Sequence, residues 1–527
     1  STTEYFADAE YGRYGLSSDP NVYEMDVSEF QKGDYGTLGV LWSGLVGFAV
    51  KTAHSKYRIN LLHLQNGESR AGIFDYTGSD QGSDFSGFQH NLDYSERALS
   101  NLLLGGKHTF GASWETEWKL SPTLSTMKDP DIRFTRYIGT PGNYVINTES
   151  GFPERIWRDL REVNLSGTAD IRKSFQMLKR KSELKFGAAY TYKERDFSIL
   201  NYAFNIRKLT LTGDPDELFS PENLWPKGGN ISTGTTYDAP FIPVNPNQFN
   251  AVTQNMAGYA SVEFSPFRKL KTIVGLRFEN YVQRYTGQDQ LGTRVLDCEK
   301  VLSNAGFFPS LNLILGLTER QNLRFSYART IARPSFKELS YAEIYDPISG
   351  RTFIGGLFRD ANDVAGVEYW NGRLVSTDIH NLDLRWEWFP APSQTISVSG
   401  FYKYFINPIE IVQYATLAGA FQPRNVGNGE VLGAELELRV GLEPVWKMLE
   451  SFSISANLTW TRSGIRLSAT ELESRQQNAR TGQKVSEYRE MAGQAPFIIN
   501  CGLSYDGAEM GFFKGFEAGF YFNMQGS

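Results

Sequence analysis

The chain has 527 residues, with 53 basic and 59 acidic side chains and a net charge of −6. This balance offers no basic surface, so nucleic acid is excluded as a partner. The two cysteines, Cys298 and Cys501, are too few for a cysteine zinc cluster, although one long-range disulfide stays open. Aromatic residues make up 14% of the chain beside 50 glycines, a pairing that is not typical of a soluble core.

No transmembrane helix is predicted, and any export signal is expected to have been removed or never to have been part of this sequence. Its longest charge-free apolar stretch, residues 38–50, is shorter than the roughly 20 residues needed to span a bilayer. The first residues lack the basic and apolar regions of an export signal. Localisation therefore has to be inferred from other features.

Alternation of apolar and polar residues predicts β-strands along most of the chain, because every second side chain of a strand points to the same face. In residues 452–461 one face is entirely apolar and the other entirely polar. About seventeen strands are predicted by this pattern. In chain order, the best-defined segments are 163–172, 184–193, 256–264, 272–283, 311–317, 323–329, 382–388, 396–404, 432–440 and 452–461.

Short and long connections alternate between these strands. Long polar segments run through 194–253, 331–377 and 463–493. Short turns are predicted near His54 and Lys107 and at 175–182, 265–271, 317–322, 390–394, 442–450 and 505–510. Hairpins with short turns at one end and long loops at the other are typical of outer-membrane barrels. The predicted fold is therefore all-β, a large transmembrane antiparallel β-barrel in a Gram-negative outer membrane.

The polar strand face is predicted to line the lumen. A barrel of about seventeen strands is too wide to be filled by its own side chains, so its interior holds water or a plug. The charged residues predicted to face the lumen or plug are Glu115, Glu117, Arg277, Glu279, Asp383, Arg385, Glu387, Glu435, Glu437 and Arg439.

No motif for catalysis, a cofactor or a metal is recognisable, so the protein is predicted not to be an enzyme. The five histidines are scattered without metal-ligand spacing. The glycine-rich segment 427–433 lies between strands and does not open a helix, as a phosphate loop would. The acidic segment 213–223 has carboxylates that could bind Ca²⁺, but a solvated loop is the favoured interpretation.

Several side chains near the predicted extracellular mouth are candidates for ligand contact. Guanidinium groups there could bind an anionic ligand, and aromatic rings could stack on one. The favoured alternative for the arginines is structural pairing with Glu338 or with a plug. The polar segment 468–491 is predicted to be a partly helical external lid. The candidates are Arg329, Arg333, Tyr345, Tyr369 and Trp370.

Three stretches resemble a known family. Residues 328–340, ARTIARPSFKELS, look like a segment of the barrels of TonB-dependent outer-membrane receptors. Residues 425–438 are similar to the family's strand with Asn followed by Gly-x-Glu, and 186–197 resemble a third stretch. The overall style is most like receptors of the Bacteroidetes type.

This resemblance implies a barrel of roughly 22 strands, plugged by an N-terminal domain. Residues 1–527 are then the barrel domain, and the plug and final strands are expected outside this sequence. The implied function is a receptor and active transporter that imports a scarce nutrient: a siderophore, cobalamin, a glycan or a peptide. The implied partners are the TonB complex, outer-membrane lipid, the ligand and, for the Bacteroidetes type, a surface lipoprotein.

Two other functions stay open at this point. A passive porin-type channel shares the fold, and a globular domain encoded before Ser1 would argue against it. A secreted β-rich adhesin or carbohydrate-binding protein would also show alternation, but it would bury the apolar face in a soluble core and appear in the soluble fraction.

Overall fold

The structure is a computed structural model. It describes residues 2–16, 25–80, 83–140, 142–146, 151, 153–238, 244–346, 351–417, 419–444, 446–480, 482–507 and 515–526. Its strands are β1 Thr2–Leu16, β2 Met25–Lys51, β3 Ser55–Asp80, β4 Ser83–Phe110, β5 Trp114–Thr140, β6 Asn143–Val145, β7 Glu154–Met177, β8 Arg180–Arg207, β9 Gly234–Asp238, β10 Gln248–Phe267, β11 Leu270–Gln288, β12 Val295–Thr318, β13 Gln321–Ala332, β14 Glu343–Asp346, β15 Arg351–Ile354, β16 Asp360–Asn362, β17 Val367–Trp370, β18 Thr377–Trp388, β19 Thr395–Ile406, β20 Ile409–Gln413, β21 Ala420–Asn425, β22 Gly429–Gly441, β23 Phe452–Arg466, β24 Tyr488–Arg489, β25 Phe497–Asp506 and β26 Glu517–Gln525.

Helical structure is scarce in the described residues. One α-helix, α1, spans Ala469–Gln477, and short 3-10 helices occupy Glu217–Phe219, Pro221–Asn223 and Lys447–Leu449. The Ser468 hydroxyl caps α1 by accepting a hydrogen bond from the Glu471 amide at 3.1 Å. The predicted partial helix within 468–491 is therefore confirmed. Nowhere in the described part of the chain is a helix long and apolar enough to cross a membrane.

One large antiparallel sheet, here called the wall, forms the framework of the protein. Within the described ranges, twenty strands belong to it. All but the short β6, β9 and β24 are long, which leaves seventeen long strands. Each long strand pairs with the next long strand along the chain, for example β10 with β11 and β11 with β12. All ten of the best-defined predicted segments lie within wall strands, so these predictions are confirmed.

The predicted asymmetry of the connections is also confirmed. Short turns join β7 to β8, β10 to β11 and β12 to β13 at one end of the wall, and long connections join β13 to β18 and β19 to β22 at the other. In outer-membrane barrels the short turns are periplasmic and the long loops are extracellular. One prediction needs correction, because β8 and β10 extend well into the segment 194–253, where their backbones stay paired as far as Ser198 and Gln248.

Cross-strand register sorts the wall into two chemically different faces. A line of directly paired residues runs across five strands through Trp386, Val398, Leu436, Leu458 and Ile499. All are apolar, and Val398 and Leu458 are 47% and 36% exposed. Such a row of exposed apolar side chains fits hydrocarbon on this side of the sheet.

The opposite face carries the polar row at the same height. Arg385 pairs with Ser399, Ser399 with Glu435 and Glu435 with Thr459. The register brings all ten residues predicted to face the lumen onto this one face. That these residues face a lumen stays a prediction. The prediction requires all of them to lie on one face of the sheet, as they do.

Short strands from two long connections form a second sheet, here called the loop sheet. The connection from β13 to β18 supplies β14 and β15, and the connection from β19 to β22 supplies β20 and β21. The strand order is β14-β15-β21-β20, and the central pair is parallel. The two connections therefore share one folded unit at the end of the wall where the long connections lie.

The apolar face gives a direct test of the membrane assignment. Replacing Leu458 by Arg should cost about 2 to 4 kcal/mol, because a charge near the bilayer midplane loses its hydration. A heat-modifiability gel of the full-length protein, in which folded and boiled barrels migrate differently, measures the loss.

The matched control is Asn457→Arg on the polar face, directly opposite Glu437. This variant should fold almost normally, because water and the facing carboxylate solvate the new charge. Equal sensitivity of the two positions would contradict the assignment of the faces.

Candidate binding site at the mouth of the wall

An apolar core joins the long connections to the polar face of the wall. Phe336, Leu339 and Leu357, from the connection between β13 and β18, are buried against wall residues that include Tyr281 and Tyr285. These two tyrosines follow Glu279 at alternate positions of β11, so they lie on the face predicted to be lumenal. The connection therefore packs on the face of the wall that carries Glu279, at the end where the long connections lie.

An ion-pair cluster fastens the start of this connection to the wall. The Arg333 guanidinium donates a hydrogen bond to the Glu279 carboxylate at 2.6 Å, and Arg277 donates to the other oxygen of Glu279 at 2.6 Å. Arg333 also lies 4.5 Å above the Tyr281 ring. The cluster is largely buried. Arg333, a candidate for ligand contact, is therefore bound by a carboxylate of the wall.

The second candidate arginine is also paired. Arg329 donates to Asp378 of the neighbouring strand β18 at 2.9 Å, and both side chains are about one-third exposed, at 34% and 31%. The Glu338 carboxylate, the partner considered in the sequence, instead accepts a hydrogen bond from the Ser335 amide at 2.6 Å. The structural interpretation of the two arginines is therefore favoured, with different partners from those expected.

The three aromatic candidates differ in their surroundings. The Trp370 indole donates to the Gly356 carbonyl at 2.8 Å and packs on the apolar core. Tyr369 accepts from Arg424 through its carbonyl oxygen at 3.4 Å. Of the three, Tyr345 is the one that lines a cavity, described below. Ligand contact by these residues stays a prediction.

A buried polar cluster crosslinks the two connections. Asp360 is fully buried and forms an ion pair with Arg424 of β21. Its carboxylate also accepts hydrogen bonds from the Ala415 amide at 2.9 Å and the Thr416 hydroxyl at 2.8 Å. Because the buried carboxylate is surrounded by donors, its desolvation is offset and the two loops are held in one arrangement.

Asn425 closes the base of the same unit. Its side-chain amide exchanges hydrogen bonds with the backbone of Val375, at 2.8 and 3.0 Å, and donates to the Asn407 carbonyl at 2.8 Å. Val375 lies at the end of one long connection and Asn407 at the start of the other. This role in joining the loops explains the first residue of the 425–438 motif.

The glycine of that motif is explained by close packing. A Cβ atom at Gly433 would lie 2.2 Å from the Phe401 ring and 2.7 Å from the Trp460 carbonyl oxygen. The facing ring therefore requires glycine at this position. The 186–197 motif also reaches the mouth, because Arg195 lies 5.1 Å above the Phe336 ring.

A cavity of about 470 Å³ lies between the loop sheet and the polar face of the wall. The loop sheet contributes Ile344, Tyr345, Arg351, Phe353 and other residues, and the wall contributes Asp93, Arg158 and several isoleucines. Lys337 lines it as well. Sequence reasoning did not single out Lys337, Arg351 or Arg158, since only the register and the loop pairing bring them together.

Most of the charges predicted to face the lumen are paired. Glu115 contacts Lys107 at 2.8 Å, and Glu117 contacts Lys119 at 2.8 Å. Arg385 bridges two carboxylates, Glu387 at 3.0 Å and Glu437 at 2.6 Å. Exposed positions are occupied by Asp383, Glu435 and Arg439.

The acidic segment 213–223 folds around its own backbone. Both oxygens of Glu217 accept hydrogen bonds from the Thr212 amide, and one also accepts from the Gly213 amide at 2.8 Å. Asp216 contacts Arg133 at 3.1 Å. In the described residues, no group of three or more metal-binding side chains comes together.

A family model described as "TonB dependent receptor-like, beta-barrel" matches residues 30–527. The chain belongs to this family. TonB-dependent receptors are Gram-negative outer-membrane proteins that work with TonB and bind small-molecule ligands. Among curated proteins, none matches this sequence.

Solved structures of this receptor class share the fold of the chain. The ferripyoverdine receptor of the outer membrane of Pseudomonas aeruginosa is 12% identical, with a TM-score of 0.57 over 99% of this chain and 63% of the other. The ferric citrate transporter FecA is 13% identical, with a TM-score of 0.51 over 96% and 64%. The copper transporter OprC is 12% identical, with a TM-score of 0.51 over 96% and 66%. The chain thus spans less than two thirds of the length of these relatives.

The Arg333 ion-pair cluster is expected to hold the connection between β13 and β18 against the wall. Arg333→Ala removes one partner of a buried pair, which typically costs about 3 kcal/mol. We expect faster hydrogen exchange in 336–346 and 351–357 with little change in β11, because the connection loosens locally.

Arg329→Ala is the control, since its pair with Asp378 is more exposed and such pairs contribute about 1 kcal/mol or less. Exchange that is equally fast in both variants would mean that the buried cluster does not hold the connection.

Glu343 of β14 predicts a pH dependence of the loop sheet. Burial raises the pKa of its carboxyl above the ordinary value. The loop sheet is therefore most stable while the Glu343 carboxyl is protonated, and this contribution is complete below the ordinary pKa. It is lost as the pH rises through the raised pKa of the folded protein. Glu343→Gln should therefore slow exchange of β14 amides at about pH 8 and change it little at about pH 4, relative to the parent protein. Identical effects at both pH values would contradict this.

Proposed function

We propose that the protein is an outer-membrane receptor and active transporter that imports a scarce nutrient with energy from the TonB complex. Family membership supports this, and so does the mouth. The long connections form a built unit with a cavity of about 470 Å³ between the loop sheet and the wall. That volume suits a small-molecule ligand. No covalent chemistry is required of the protein.

The partners follow from this proposal. Outer-membrane lipid would cover the apolar face of the wall, and TonB would act through a plug domain outside residues 1–527. A barrel of roughly 22 strands in the whole protein is part of the same proposal. A surface lipoprotein belongs to it only if the Bacteroidetes resemblance holds.

The ligand class stays open among siderophore, cobalamin, glycan and peptide. Ferripyoverdine, ferric citrate and copper are named for the relatives. At 12 to 13% identity these names support the shared fold and favour no ligand for this chain.

A passive porin is the competing function, and dependence on energy separates the two. We expect a deletion strain to lose growth on one nutrient supplied at low concentration, and a strain lacking TonB to lose it equally. High concentrations of the nutrient should rescue both strains. Uptake that continues without TonB, together with steady conductance in planar bilayers, would contradict active transport and support a porin.

The secreted alternative is tested by fractionation of the same cells. The full-length protein should be found in the outer-membrane fraction and should need detergent for extraction, because the apolar face is exposed. Recovery in the soluble fraction would favour an adhesin or carbohydrate-binding protein.

A further inference from the structure

The cavity beneath the loop sheet has an unequal balance of charge. Three cationic side chains, Arg158, Lys337 and Arg351, line it against one carboxylate, Asp93. The remaining lining is largely apolar or aromatic and includes Ile132, Ile156, Ile199, Ile344, Phe353 and Phe421. The cavity therefore combines a positively charged end with an apolar lining.

Two of the three cations form no salt bridge with the side chains that the structure describes. Lys337 and Arg351 form no salt bridge there, in contrast to Arg277, Arg329 and Arg333, which do. Arg158 lies 2.9 Å from the Asp129 carboxylate, so its charge is balanced. The loop side of the cavity therefore carries two cations whose contacts among the described side chains are aromatic rings.

Aromatic rings hold the two free cations in place. The Lys337 ammonium lies 4.1 Å from the centre of the Phe353 ring, and the Arg351 guanidinium lies 5.2 Å from the centre of the Phe421 ring. Phe353 and Phe421 are themselves directly paired across the parallel strands β15 and β21. The central pair of the loop sheet thus positions both cations at the same cavity.

The surroundings of Lys337 disfavour its charge in the empty cavity. Its side chain is accessible to water, but desolvation by the surrounding protein lowers its pKa, and the positive charge of Arg158 lowers it further. The Glu338 carboxylate offsets only part of these two effects. An anion placed between these groups would reverse both effects, because opposite charge favours the ammonium form.

We propose that this cavity binds the anionic end of a small amphiphilic molecule, with a carboxylate held by Lys337 and Arg351 and an apolar body lying against the isoleucines and phenylalanines. The inference rests on the proposed import function and names the ligand chemistry of that site. Anion binding is thereby assigned to Lys337 and Arg351, which both lie in the connection from β13 to β18. Arg329 and Arg333 are engaged in ion pairs. Asp93 sets a limit, because its carboxylate disfavours a second negative group on the ligand near the wall.

A matched pair of probes tests this with the full-length protein. Naphthalene-2-carboxylate and the neutral naphthalene-2-carboxamide have similar size and apolar area, and they differ in charge. Binding to detergent-extracted receptor is measured by saturation-transfer NMR and isothermal titration. We expect the carboxylate to bind about tenfold to a hundredfold more tightly, as is typical of charged hydrogen bonds.

Variants assign the preference to the two residues. Lys337→Gln combined with Arg351→Gln should remove the preference for the carboxylate while leaving amide binding unchanged, and Lys337→Arg should retain it. Arg329→Gln is the control and should bind both probes like the parent. A heat-modifiability gel checks that each variant is folded. The variant Phe353→Leu keeps both charges but loosens the contact with Lys337, so it should weaken the preference for the carboxylate only in part.

Equal binding of the two probes by the parent protein, or a preference that survives in the double variant, would overturn the proposal. The assay needs neither TonB nor an energised membrane, so its failure is distinct from failure of the import function. Loss of the probe preference with intact TonB-dependent uptake would remove this inference alone. Selective probe binding without uptake would remove the transporter and leave the anion site.

Discussion

Backbone hydrogen bonding is the constraint on which the rest of the structure depends. Hydrocarbon offers no partner for a free amide or carbonyl, so each strand that crosses it has to be paired on both sides. In the wall, neighbouring long strands pair in register over most of their length. Once the backbone is satisfied in this way, side chains are left to sort by face, which is why apolar and polar rows cross the same strands.

This constraint no longer applies where strands leave the bilayer, so the connections at the mouth can adopt structures other than long paired strands. Beyond β13 and β19 the connections form their own sheet, bury their own charges and pack aromatic residues against the polar face of the wall. The same residue types play opposite parts in the two regions. Arg333 is held by a wall carboxylate, whereas Lys337, four residues later, forms no salt bridge with the described side chains and lines the cavity.

The wall was predictable from the sequence because its signal is local. A period of two in segments such as 452–461 requires no knowledge of the partner strand, and the short turns are marked by local composition. The mouth was not predictable for the opposite reason. Arg333 meets Glu279 and Arg351 meets Phe421 only through register and loop pairing, so sequence proximity pointed to Glu338 as a partner and missed the cavity cations. The motif stretches did indicate the right region, since 186–197, 328–340 and 425–438 all contribute residues to the mouth or its base.

The parallel pairing of β15 with β21 has a consequence for the order in which the protein assembles. Thr352 pairs with Ala420, and the strands β18 and β19 lie between them in the chain. Closing so long a loop is entropically costly until that intervening hairpin is in place. We therefore expect the loop sheet to form after this hairpin, and a wall that forms before the loop sheet would leave Phe336, Leu339 and Leu357 uncovered.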